Sequence, residues 1–223
     1  MKLEKLSLVD RAVQQLRRMI IGAVLHPNQR LTEQELCANM EVGRGTVRAA
    51  LAALTAENLV VRRPYAGWAV QAVDDNVLRE TYEVRGALEE LSARLLARHL
   101  DEPAKAQLLS SYEHLIASEA DGTAEERLRA DLAFHAGIVR TSGNDLLIRQ
   151  YESISGRTEW LYRWSEKNWP RRINLIDWHK PIFEAILAGN EEAAALAVRS
   201  HTYRSLHDDM RDLQNKSVQQ DQE

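Results

Sequence analysis

The chain has a single cysteine, no long apolar run and, past its first third, no strand-like pattern. Each absence excludes something. Cys37 can neither close an internal disulfide nor pair with a second thiol in a zinc knuckle. Within LTEQELCANM it reads as a small, buried, apolar side chain. No stretch approaches the length that a bilayer-spanning helix needs. The opening residues MKLEKLSLVDR carry charge in every turn, unlike the unbroken apolar centre of a secretory signal. A soluble, cytoplasmic protein with no membrane partner is therefore expected. From Asp74 onward nothing alternates with period two, so that part of the chain is expected to be wholly helical. What is present is ample: 223 residues, 44% of them hydrophobic, can supply one large core or two ordinary ones.

Charge is distributed unevenly. Residues 1–72 hold 10 Lys/Arg against 6 Asp/Glu, while 73–223 hold 19 against 27, within a net charge of -4. A basic first third joined to an acidic remainder points to a polyanion partner for the first part alone.

Apolar residues at Leu8, Ala12, Leu16, Met19 and Ile20 predict a first helix, opened by Ser7 and ended at Gly22. Thr32 opens a short second helix to about Met40, with Glu35 placed to complete a capping box. A third follows in EVGRGTVRAALAALTAENL, its apolar face made by Val47, Ala50, Leu51 and Leu54. Two short helices joined by a glycine-containing turn form a helix-turn-helix pattern. In LVVRRPYAGWAVQAV the period changes, predicting strands at Leu59–Val61 and Trp68–Val70 with 62–67 as the loop of a wing. Six further helices are predicted over 75–100, 103–119, 124–141, 145–166, 172–188 and 191–213. The predicted fold class is thus mainly α: a winged helix-turn-helix DNA-binding domain over 1–73, an all-helical bundle over 74–215, and a disordered tail over 216–223.

Arg44 and Arg48 stack four residues apart, opposite the apolar face of the third helix. Arginines near the start of a groove-entering helix suit guanine edges, and Thr46 with the helix amino terminus suits phosphate. Arg62 and Arg63 would add backbone or minor-groove contacts. An arginine pair alone is as well explained by solvation; the winged order of elements favours DNA.

In DLAFH, Asp131 and His135 share a helix face. Such a pair is ordinarily a surface pair or a local hydrogen bond, and a metal site needs more ligands. His179 lies ten residues before Gly189 and His201 eleven after Asn190. If the chain folds back there, arms of roughly 15 and 16 Å bring the two rings level. Pro181, two residues beyond His179, is expected to kink that arm or start a new segment. Three nitrogens and one oxygen from three facing helices suit a divalent transition metal, with zinc, nickel and manganese all compatible. His26, His99, His114 and His207 read as surface residues. Arg157, Trp160, Leu161 and Trp164 form a stripe that reads as packing or, with a buried arginine beside indoles, as lining for an anionic effector.

The strings LHPNQRLTEQELCANMEVGRGTVRAALAALTAENLVVRRPYAGWAV, YEVRGALEE, DLAFHAGIV, SGNDLL and WHKPIFEAILAGNEEAA resemble a GntR-family transcriptional regulator of the FadR subfamily with an FCD-type (VanR-like, six-helix) effector domain. The likeness runs from about Leu8 to His207. It implies that Arg44 and Arg48 read the operator and that Gly67 is the wing glycine approaching the minor groove. It also implies that Asp131, His135, His179 and His201 hold a metal, and that Arg85 faces a cavity for a small organic-acid or sugar-acid effector; alternatively Arg85 simply pairs with Glu89 one turn on. The chain departs from the family where Gly45 and Thr46 replace a Thr-Pro pair, Ala49 replaces a glutamate, and Gln34 stands where some relatives place an arginine. The expected function is a ligand-responsive regulator, a repressor, binding a pseudo-palindromic operator as a homodimer. The alternatives are a metal-dependent hydrolase with an accessory helix-turn-helix, disfavoured because no base or nucleophile pattern sits beside the ligands, and a purely structural interaction module.

Overall fold

The computed structural model describes residues 6–168 and 174–220, with side chains through 215. These form two compact units: 1–73 together with 156–164, and 74–155 together with 165–223. The segment 156–164 inside the first unit is a feature that a division at residue 73 does not contain.

In the first unit, α1 (Leu8–Ile21) opens at Ser7, which exchanges hydrogen bonds with Asp10 in a complete capping box. Its buried Leu16 and Ile20 face α3 (Arg44–Ala56), whose Val47, Leu51 and Leu54 have no exposed surface. Between them α2 (Glu33–Met40) packs on α3. Thr32 caps α2 by accepting from Glu35 N, but only that half of the expected box forms. Glu41, in the left-handed region at φ 53°, ends it. Cys37 is half-buried, less enclosed than its apolar neighbours suggested.

The wing is larger than the sequence pattern indicated. A strand β1 (Arg30–Leu31) joins β2 (Val60–Arg63) and β3 (Gly67–Val70) in an antiparallel sheet of order β1-β3-β2. Arg62 pairs with Trp68 and Arg63 with Gly67, so both arginines extend the strand instead of lying in the loop. The turn shrinks to Pro64, Tyr65 and Ala66. Gly67 sits at φ 81°, which any side chain would strain.

The second unit is helical among its described residues: α4 (Asp75–Arg98), α5 (Glu102–Asp121), α6 (Ala124–Arg140), α7 (Asp145–Asn168, shared with the first unit), α8 (Leu175–Leu187) and α9 (Glu191–Gln220). Asp74, Asp101, Thr123 and Asn174 cap α4, α5, α6 and α8 by accepting from backbone N–H groups in each first turn. One apolar core draws Leu96 from α4, Leu115 from α5, Phe134 from α6, Ile182 and Ile186 from α8, and Val198 from α9. α4 lies along α9, closely enough at Gly86 that an added Cβ would meet Thr202 Oγ1 at 2.9 Å.

Two expectations are corrected here. Pro181 does not divide α8, which continues through it to Leu187. The tail expected from 216 is helical through Gln220, because nothing after Asn190 is a glycine or proline that would stop α9; 221–223 lie outside the described residues. No described helix is long and apolar enough to cross a membrane.

Candidate metal centre and nucleic-acid interface

The metal candidates are gathered by a helical fold-back. α8 ends in a left-handed Gly189 (φ 68°), with Gly189 N donating to Ile186 O and Asn190 N to Ala185 O. Asn190 then caps α9 through its side chain. This reversal brings the rings of His179 and His201 to 4.6 Å between centroids. α6 supplies the third ring: His135 lies 5.0 Å from His179 and 4.8 Å from His201. One ligand atom from each of the three lies within 4.8 Å of the other two. Asp131 Oδ1 is 2.7 Å from His179 Nε2 and 3.6 Å from His135 Nε2. All four residues are buried. Phe134 stands edge-on to His135 and His179, and Trp178 stands perpendicular to His201.

Where the protons sit decides what this cluster can do. His179 Nδ1 is 2.7 Å from the Leu175 carbonyl, one turn back, and His135 Nδ1 is 2.9 Å from Glu89 Oε2. The Leu175 carbonyl can only accept, so His179 Nδ1 carries hydrogen; the Glu89 carboxylate draws the His135 proton to Nδ1 by proximity, without an aligned hydrogen bond, and in neutral rings both Nε2 atoms then present lone pairs. Those lone pairs face each other at 3.0 Å beside the Asp131 oxygen. Neither ring nitrogen of His201 has a hydrogen-bond partner among the described residues. Electron-rich atoms crowded together out of water require positive charge between them.

Protons answer only part of that need. Burial, and then Arg85, oppose charge on His135, but Glu89 and Asp131 together outweigh them and raise it above the ordinary histidine value. Burial also opposes charge on Asp131, yet His179 and His135 hold it well below the usual carboxylate range. For His201, burial and then His179, His135 and Arg85 all push the ring well below the usual histidine range, so it stays neutral with two unsatisfied nitrogens. A donor set of three imidazoles and one carboxylate fits a divalent transition ion.

Behind this centre lies a group that sequence reasoning missed. Glu89 accepts at Oε1 from Arg85 Nε (2.6 Å) and from the Tyr151 hydroxyl (3.1 Å). Burial would raise its carboxyl, but Arg85 and His135 bring it down to about 2. The i,i+4 pairing of Arg85 with Glu89 is thus formed, with both side chains almost wholly enclosed. Spacing suggested that pair; nothing in the sequence signalled its reach to His135. Arg157, Trp160 and Trp164 stand on the part of α7 that belongs to the first unit, and Arg157 and Trp160 are buried there.

On the first unit, Arg44 and Arg48 are exposed on α3 beside half-buried Thr46. Gly43 caps α3 without a side chain, which leaves the helix's first N–H groups without a side-chain acceptor there. Arg48 Nε lies 2.9 Å from both oxygens of Glu33. That bond draws the Glu33 carboxyl below its ordinary value. On the wing, Arg62 stacks over Trp68 at 5.6 Å, and Arg63 donates to Asn28 at 2.7 Å. Tyr65, fully exposed at φ 61°, forms the tip with Gly67. Glu33 and Tyr65 stand beside the candidate DNA-facing residues and were not assigned a role from the sequence pattern.

Residues 8–70 match the bacterial regulatory proteins of the gntR family, and residues 80–204 match the FCD domain. The chain belongs to the GntR family. Its helix-turn-helix is therefore that of a transcriptional regulator carrying an FCD domain. Among relatives of this GntR protein, the Nta operon transcriptional regulator of Aminobacter aminovorans is 29% identical over 82% of this chain and 85% of its own length. The HTH-type transcriptional repressor GlaR of Escherichia coli K12 is 30% identical over 83% of this chain and 88% of its own length. The solved structure of E. coli McbR/YncC shares the fold, with a TM-score of 0.71 at 20% identity over 93% of this chain and 99% of that one. The GntR and FCD families and these relatives are regulators and not enzymes, so the hydrolase alternative falls.

Proposed function

We propose that the protein is a cytoplasmic GntR regulator of the FadR subfamily. It binds a pseudo-palindromic operator as a homodimer, and its affinity for DNA is set by a small organic-acid or sugar-acid effector held in the FCD domain with the help of a divalent transition metal. Repression is carried over from GlaR, a repressor. Arg44 and Arg48 read base edges, Thr46 and the start of α3 hold phosphate, and Arg62, Arg63 and Gly67 bring the wing to the backbone. Asp131, His135, His179 and His201 hold zinc, nickel or manganese. A bound ion there supplies a Lewis-acidic position for a carboxylate oxygen, while Arg85 contributes positive charge nearby.

What carries the reading is the convergence of three buried imidazoles on one aspartate, with the His179 ring held through Nδ1, the His135 ring set against Glu89 and neither nitrogen of His201 hydrogen-bonded. One winged helix covers a half-site, so a second copy is needed to read the other at a fixed spacing. Effector affinity must differ between DNA-competent and DNA-incompetent arrangements for control to follow.

The experiment is a thermal-shift screen of small carboxylates against the full chain, with and without added zinc, nickel or manganese. Metal should raise the melting temperature, and at least one carboxylate should raise it further only when metal is present. Metal-independent melting in every condition would contradict the proposal.

A further inference from the structure

We propose that Glu89 is the positioning residue of the histidine centre: its carboxylate fixes the His135 ring through Nδ1, aims Nε2 at the ion position, and ties that aim to Arg85 and Tyr151. The inference rests on the metal reading above and deepens it. Glu89 stands on α4, which supplies none of the four ligands, and its two oxygens do separate work. Oε1 receives Arg85 Nε and the Tyr151 hydroxyl; Oε2 meets His135 Nδ1 at 2.9 Å. An arginine one turn away could be balanced by a carboxylate that never touched a histidine. Here the carboxylate spans both, with 2% of its side chain exposed.

His179 offers an internal comparison. Its Nδ1 is held by the Leu175 carbonyl, a backbone group that its own helix provides. His135 also sits on a helix, but its Nδ1 lies against a side chain from another helix, at ion-pair distance from Glu89 Oε2 and not aligned as a hydrogen bond. A carboxylate is the stronger acceptor and makes the opposite ring nitrogen a better donor to an ion. The two rings are therefore oriented by different devices, and only that of His135 can be removed by substitution. Because Tyr151 shares Glu89, a change there should be felt at the ligand without a ligand being altered.

The test uses cobalt(II) as a coloured probe with the full chain, competed against a chelator, comparing wild type, Glu89→Gln, Tyr151→Phe and the double variant Arg85→Met/Glu89→Gln. The double variant keeps buried charge balanced if Glu89→Gln alone folds poorly. Glu89→Gln and the double variant should bind cobalt roughly 10- to 100-fold more weakly, with an altered visible absorption band. Tyr151→Phe should weaken binding less, in the same direction. Variants that melt at lower temperature yet bind cobalt with wild-type affinity and spectrum would show that Glu89 only balances Arg85, and would overturn the inference while leaving the metal reading intact. A wild-type chain that takes up no cobalt overturns both.

Discussion

At the scale of single residues, a side chain's chemistry is set by what holds its other end. Arg48 is held at Nε by both oxygens of Glu33, and a guanidinium so held would offer its terminal nitrogens to a guanine edge in the proposed complex. Orientation before binding lowers the ordering cost of the contact. Glu33→Ala is therefore expected to act oppositely on two kinds of DNA. Loss of an acidic group beside the phosphates should tighten binding to a scrambled duplex, whereas binding to a duplex selected from a random library should weaken by several-fold. Anisotropy titrations of both duplexes at one salt concentration measure the ratio; an unchanged ratio would refute the positioning role. Arg44→Ala and Arg48→Ala should each weaken the selected duplex roughly tenfold or more while leaving metal content intact.

The element scale is where sequence and structure separate. The helices of the second unit and the reversal at Gly189-Asn190 were legible because each leaves a local mark: a 3.6-residue period, and between α8 and α9 a Gly-Asn pair that breaks it. The Asp131, His135, His179 and His201 constellation was legible in part for the same reason, since one helix spacing and two nearly equal arms allow it, and the family resemblance pointed to the same four. Strand β1 was not, because two residues cannot display a period and their partners Trp68 and Ala69 are far along the chain. Arg62 and Arg63 looked like loop because strand pairing continues past the last apolar residue without any hydrophobic signal. Glu89 was half-legible: its partner Arg85 is local, its partner His135 is not. The reversal gives an element-scale prediction. At Gly189 an added Cβ has room, its nearest neighbour being the Ala97 carbonyl at 3.6 Å, so the cost of Gly189→Ala is the left-handed backbone alone. That is about 1 kcal/mol, and a fall in melting temperature of roughly 2–4 °C should be seen by calorimetry. A much larger fall would mean that the fold-back carries more of the unit's stability than its turn geometry implies.

For the whole molecule, the two units divide charge and chemistry between them: the surplus of Lys/Arg lies in residues 1–72, and all four metal candidates lie in the other unit. Removing metal should therefore be read as a stability change belonging to one unit. Without an ion, Asp131, His135, His179 and His201 keep converging lone pairs and an unsatisfied neutral ring in a buried place, an arrangement that unfolding relieves. With an ion at about 100 times its dissociation constant, the native form gains roughly 2.7 kcal/mol by mass action. In calorimetric scans of the full chain, a chelator should lower the transition of the FCD unit by several degrees, and added zinc or nickel should restore it. His201→Ala tests the same step from the protein side. It removes a ring whose nitrogens bond nothing in the described structure, so its apo form should melt no lower than expected for a truncated buried side chain, while its response to metal should largely vanish. If His201→Ala responds to metal as the wild type does, the ion is bound elsewhere and the convergence of the three rings has another cause.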